Sequence, residues 1–236
     1  MTYTNSPLVS YKNITSHKKA GRKNISRFTP HVFVGQVTAK QGVDYFKNTD
    51  RQCSANYVIG RSGELGLSVD EKDTAWTSSS SVNDSQAITV EIASDKSHPY
   101  AISDKAWETL INLAYDICKR YNKTKMVWIP DKDKALSYKV KDDELLVTVH
   151  RWYNLNKSCP GEYVYNRLGK LVEIVNNKLK EDTGAMGEKL NKFEQWAVSI
   201  GLFTGYGDGK YHFDQPLTRG QLCVVLYRFA NWLCKV

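Results

Sequence analysis

Short stretches of alternating apolar and polar residues are interleaved with longer stretches at helical spacing through most of this chain. F-T-P-H-V-F-V-G-Q-V-T, from Phe28 to Thr38, has strand spacing, with Val32 and Val34 alternating with Phe33. Pro30 cannot donate to a ladder, so this strand is expected to begin near it, with His31 at its start. Residues 39–50 predict a short helix with Val43 and Phe46 inward. Residues 55–60 and 65–69 predict two strands joined by the turn Arg61-Ser62-Gly63-Glu64, a hairpin. In 86–93, Ile88, Val90 and Ile92 share one face, and Ala87, Thr89, Glu91 and Ala93 the other. Residues 103–121 form the clearest helix, capped by Ser103 or Asp104, with Leu110, Ile111, Ala114, Ile117 and Cys118 on a broad apolar face. A short strand follows at 126–129, then a charged loop over 131–146 and a β-branched run ending at His150. Tyr163 to Lys180 predicts a second helix. Residues 1–27 and the Ser-rich stretch 74–85 have loop composition. Strands that precede and alternate with helices make a mixed α/β or α+β domain ending near residue 180.

The pattern then changes. Residues 181–187 have linker character, and 188–236 predict a helix, a glycine-rich turn and a second helix with Thr218 as its N-cap. A unit of about 50 residues is small for a stable independent core. The expected organisation is therefore a domain at 1–180, a linker at 181–187 and a small all-α helix–loop–helix unit at 188–236.

Composition narrows the function classes. The chain has 236 residues, 41% hydrophobic and 25% charged. No apolar run approaches the roughly 20 residues of a membrane span, and the N-terminus lacks a basic region followed by an apolar core, so no signal peptide is expected. The five cysteines are scattered and odd in number, which suits a reducing compartment better than a disulfide framework. The formal charge of +8 admits anionic partners. Its lysines and arginines are spread along the chain without the aromatic-interleaved clusters of a nucleic-acid binder, so no nucleic acid is expected.

The candidate chemistry lies in V-T-V-H-R-W-Y-N-L-N-K-S-C-P-G, Val147 to Gly161. His150 and Cys159 offer an imidazole nitrogen and a thiolate, ligands that zinc takes readily, and a catalytic zinc needs a third protein ligand from elsewhere. Lys157 would place a cation beside such an ion. Glu91, in mid-strand, is open to two readings: an exposed polar position, or a buried acid with a raised pKa suited to proton transfer. The Ser-rich stretch could be a plain connector or a substrate-facing rim.

Taken together, F-T-P-H-V-F-V-G-Q, A-N-Y-V-I-G-R-S-G-E, I-T-V-E-I-A, T-V-H-R-W and K-S-C-P-G, in that order, resemble the zinc-dependent N-acetylmuramoyl-L-alanine amidases. That superfamily includes phage endolysins and peptidoglycan recognition proteins, and the resemblance covers roughly residues 10–180. It implies a central mixed β-sheet flanked by helices, with zinc at a peptide-binding groove. It carries the three metal ligands onto His31, His150 and Cys159, and catalytic roles onto Glu91, Lys157 and Tyr57. It further implies hydrolysis of the bond between N-acetylmuramic acid and L-alanine of bacterial peptidoglycan by zinc-activated water. Members often carry W-H-A-G after the hairpin, where this chain has Trp76-Thr77-Ser78-Ser79. A copper centre commonly adds an axial Met, and only Met1, Met126 and Met186 exist here.

The tail, I-G-L-F-T-G-Y-G-D-G followed by F-D-Q-P-L-T-R, resembles a surface-layer homology motif. That resemblance implies binding to an anionic secondary cell-wall polymer through Arg219 and Asp208, with oligomerisation where only one copy is present. The expectation is a modular lysin, made in the cytoplasm and reaching the wall through a phage-type membrane pore. The alternative is a peptidoglycan-binding module that does not cut, against which the intact Cys159 argues.

Overall fold

Strand β3 (Arg27–Val32) lies inside a seven-stranded sheet, and its pairing explains how it accommodates a proline. It pairs in parallel with β7 (Ala87–Ile92) along its whole length, but with β9 (Glu144–Val147) only at Arg27 and Phe28. Arg27 and Phe33 donate their N–H groups towards the β7 side, to Gln86 and Ile92. The N–H that Pro30 lacks would face the other way, where the β9 ladder has already ended. The strand therefore starts before Pro30 rather than at it.

This computed structural model describes residues 2–186, 191–204, 211–213 and 215–233, with 183–186 described by backbone alone. The sheet runs β1 (Val9–Lys12), β5 (Leu65–Leu67), β4 (Tyr57–Ile59), β7, β3, β9 and β8 (Lys125–Val127). Every pairing is parallel except the β4–β5 hairpin, so the sheet is mixed, as expected. Two minor strands, β2 (Lys18–Lys19) and β6 (Thr74–Ala75), pair separately. Both of these and β1 fall in stretches expected to be loop; all three are short, and β1 is only half-buried.

Helix α1 (Ala39–Asn48) covers one face of the sheet. Thr38 and Gln41 form a reciprocal capping box at its start. Val43 and Phe46 pack with Ala55 and Val58, and burying a Phe side chain contributes roughly 1.5–3 kcal/mol. The approach is close because Gly42 faces Val58: a Cβ there would stand 2.6 Å from Val58 Cγ1. On the other face lies α3 (Asp104–Arg120), capped by Ser103, whose side chain accepts from Ala106 N. Its Leu110, Leu113, Ala114, Ile117 and Cys118 are buried, which makes Cys118 a core residue.

Three further elements depart from the sequence reading. The charged stretch 131–146 contains α4 (Lys132–Ser137), capped by Asp131, and the first three of the four residues of β9. The strand expected to end at His150 ends at Val147, and His150–Trp152 is a 3₁₀ turn. The helix expected from Tyr163 is split into α5 (Gly161–Tyr165) and α6 (Leu168–Met186), and α6 continues through residues 181–186, most of the stretch expected as a linker.

The chain divides into two units, Met1–Asn177 and Lys178–Val236. The second contains α7 (Lys192–Ser199), with an Asn191–Glu194 capping box, and α8 (Arg219–Leu233), whose Thr218 accepts from Gln221 N at 3.2 Å. Arg228 donates to Leu202 O at 3.1 Å, and Trp196 meets Trp232 edge-on at 5.8 Å. Among the described residues, no helix is long and apolar enough to cross a membrane.

Candidate functional site

The site sits where the central parallel strands end, the usual location for function in sheets of this kind. His31 and Glu91 are register partners in β3 and β7, and so project from the same face. The third strand contributes by ending early. Thr148 N donates to Phe28 O at 3.0 Å, Thr29 and Thr148 join hydroxyls at 2.8 Å, and the chain then turns so that His150 comes beside His31. The two imidazole rings lie 5.0 Å apart.

Cys159 arrives on the returning loop. Arg151 holds that loop, donating its N–H to Cys159 O at 3.2 Å, its guanidinium to Ser158 O, and ion-pairing with Glu162 at 2.6 Å. Gly161 closes it with φ +76°, and a Cβ there would stand 2.9 Å from Pro99 O. Only glycine satisfies both the backbone angle and that approach.

One ligand atom from each of His31, His150 and Cys159 lies within 4.8 Å of the others. Cys159 Sγ is 3.3 Å from His31 Nδ1. Ser79 Oγ is 3.0 Å from His150 Nε2, which leaves Nδ1 as the free nitrogen of that ring. Burial, reinforced by the neighbouring His150, holds His31 well below the usual histidine range. Burial and the charge of Lys157 lower His150 to about 4. Both rings are thus neutral at pH 7, the form that ligates metals. The Cys159 thiol is pushed up, by burial and by Glu91, and needs a cation to ionise. Two buried polar atoms here, His31 Nε2 and Glu91 Oε2, have no hydrogen-bond partner. A neutral His₂ pair, a thiol and an unsatisfied carboxylate fit a soft-to-borderline divalent ion.

Glu91 lies closer to the buried alternative, with its Oε2 shielded from solvent. Its side chain is 16% exposed, and burial raises its pKa to about 8 against the opposing charge of Lys157. Its Oε1 lies 4.0 Å from His31 Nδ1. Lys157 is exposed and lines the groove in front of the site. One arm of the groove, about 550 Å³, has Phe33, Tyr45, Phe46, Trp76 and Tyr100 along it, with Arg51. A second arm, about 630 Å³, is lined by Thr77, Ser79, Ser80, Ser81 and Ser85, with Lys19. Both arms reach Cys53, Trp76, His150 and Lys157. The Ser-rich stretch is therefore a rim of the groove, and part of it forms α2 (Ser81–Asp84).

Tyr57 is a correction. It pairs with Val90, one residue out of step with Glu91, and so projects from the opposite face of the sheet. Its hydroxyl donates to Glu71 Oε1 at 2.5 Å and accepts from Ser6 N at 2.8 Å. The resemblance alone carried it to the site. Of the residues matched in the tail, Arg219 is exposed at the start of α8, and Asp208 lies outside the described residues. Residues that sequence reasoning missed are Ser79, behind His150, and Asp84, which anchors the Ser-rich turn by accepting from Thr77 N and Ser78 N. Serine and aspartate in a polar loop carry no distinguishing spacing.

No curated protein sequence matches the chain. The solved structure of PlyL is similar in fold, with 16% identity, a TM-score of 0.52, and coverage of 70% of this chain and 95% of PlyL. AmpD is similar too, at 16% identity and a TM-score of 0.53, over 73% of this chain and 99% of AmpD. Residues 12–162 match the Amidase_2 family, described as N-acetylmuramoyl-L-alanine amidase. With that match covering six of the seven strands in full and the His31, His150 and Cys159 cluster, the chain belongs to the N-acetylmuramoyl-L-alanine amidase family.

Proposed function

We propose that this chain hydrolyses the amide bond between N-acetylmuramic acid and L-alanine in bacterial peptidoglycan, with zinc held by His31, His150 and Cys159. The observation that carries this reading is the convergence of those three ligands with Glu91 and Lys157 at one groove of an amidase-family chain. Zinc, when bound there, supplies Lewis acidity and a water activated at neutral pH.

The chain's own residues supply the rest. Lys157 faces the groove beside His150 and stabilises the oxyanion that develops on the scissile carbonyl. Glu91, unpaired at Oε2 beside His31, relays a proton to the leaving alanine amine. The two arms give the glycan and the stem peptide separate beds on either side of the cleaved bond. The tail is proposed as a wall-targeting unit that contacts anionic polymer through Arg219 and Asp208, which makes the whole a modular lysin.

The test is digestion of purified Gram-positive peptidoglycan by the full chain, with and without a chelator, followed by product masses and N-terminal analysis. New alanine N-termini on intact glycan strands, lost on chelation and restored by zinc, are expected. Wall binding without cleavage would move the chain to the recognition class, and new reducing sugars would overturn the bond assignment.

A further inference from the structure

Of the two imidazoles at the site, only His150 has its outward nitrogen held. Ser79 Oγ stands 3.0 Å from His150 Nε2, whereas His31 Nε2 is buried without a partner. Ser79 reaches that position at a conformational cost. Its φ is +61°, a region that glycine enters freely and serine only under strain.

The surrounding turn is built to hold it there. The buried carboxylate of Asp84 accepts from Thr77 N at 3.0 Å and from Ser78 N at 3.1 and 3.2 Å. Ser80, the next residue, caps α2 by accepting from Asn83 N at 3.3 Å. Asn154 Nδ2 donates to Ser79 Oγ at 3.4 Å from the loop that follows His150. If the turn were all that mattered, glycine would serve better at this position. What serine adds is the hydroxyl.

We propose that Ser79 is the positioning residue for His150. Its oxygen accepts the Nε2–H, fixes that imidazole as the Nε2-protonated tautomer, and so leaves the Nδ1 lone pair for the metal. A hydroxyl oxygen has two lone pairs, so it accepts from both His150 and Asn154 without conflict. Partners of this kind behind a ligating histidine set its tautomer and ring orientation. The inference rests on the zinc reading given above.

Ser79→Gly and Ser79→Ala test it together. The first deletes the hydroxyl and relieves the backbone; the second deletes the hydroxyl and keeps the Cβ. Three quantities are measured on wild type and both variants of the full chain: zinc affinity by competition with a chromophoric chelator, thermal midpoint without zinc, and the His150 tautomer by nitrogen-15 NMR without zinc. Both variants are expected to bind zinc about 10- to 100-fold more weakly. Ser79→Gly is expected to keep or raise the midpoint, and in both variants His150 should lose its preference for the Nε2–H form. A merely structural role would lower the midpoint and leave the tautomer unchanged. Wild-type zinc binding with unchanged affinity in both variants would overturn the inference alone. Failure of the wild type to take up zinc would sink the metal reading, and this inference with it.

Discussion

Two glutamates lie beside strand β4, one on each face of the sheet. Glu71 is wholly buried and saturated with partners: Arg120 grips both its oxygens at 2.7 and 2.8 Å, and Tyr57 and Tyr121 each donate at 2.5 Å. Arg120 also donates to Thr4 O, and Asn5 Oδ1 accepts from Glu71 N, so this cluster ties the N-terminal segment to α3. Glu91, on the groove face, has one oxygen with no partner, and its other oxygen lies 4.0 Å from His31 Nδ1. A buried carboxylate with every lone pair used is part of the framework. One left unpaired in a cleft, with its pKa raised by burial, is a candidate for proton transfer.

The sharpest way to break this comparison is to empty the groove face. Cys159→Ala removes one of three ligands and is expected to weaken zinc binding by more than the roughly 100-fold typical of losing an outer-shell partner, taking activity to background while the fold persists. Zinc analysis and circular dichroism on the same sample check it. The converse change is Glu71→Gln, which takes one of the two carboxylates that pair with Arg120 and leaves only Asp116, at 2.8 Å. It is expected to cost about 3 kcal/mol of stability, the low end for breaking a buried pair, because Asp116 still neutralises the guanidinium; denaturant unfolding reads it, with turnover of the folded fraction little altered.

Tyr57→Phe is the smaller version on the same face, expected to cost about 1–3 kcal/mol through the partners it leaves unsatisfied. Turnover should stay near wild type; a loss of 100-fold or more with unchanged stability would return Tyr57 to the active site. A further test uses pH dependence. Glu91 in the zinc-free fold binds its proton up to about pH 8, against an ordinary value of 4.5. Between those values the folded state holds more protons than the unfolded one, so stability falls as pH rises. Zinc-free wild type should therefore lose thermal stability relative to Glu91→Gln from about pH 4.5 to 8. Parallel curves would show that Glu91 is not buried as an acid.

Much of this was legible in the residues, and the exceptions have physical reasons. The alternation in 86–93 put Glu91 opposite Ile88, Val90 and Ile92, and the structure keeps that split. The β4–β5 hairpin and α3 with its Ser103 cap follow from local pattern. Register does not. Whether Tyr57 stands beside Val90 or Glu91 depends on pairing between strands about 30 residues apart, and one step moves a side chain to the other face. β9 was hidden because its Glu144 is charged yet buried beneath Tyr138 and Lys125. Ser79 was hidden because its role comes from a contact with His150 far along the chain.

The most direct test of the two-face account is Glu91→Gln, assayed for bound zinc and for turnover on the same preparation. The account predicts about one zinc per chain and normal folding, with turnover reduced by about 10²- to 10⁴-fold, the usual contribution of a positioned acid or base. Near-normal turnover with zinc bound would contradict it and make Glu91 no more than a buried wall of the groove.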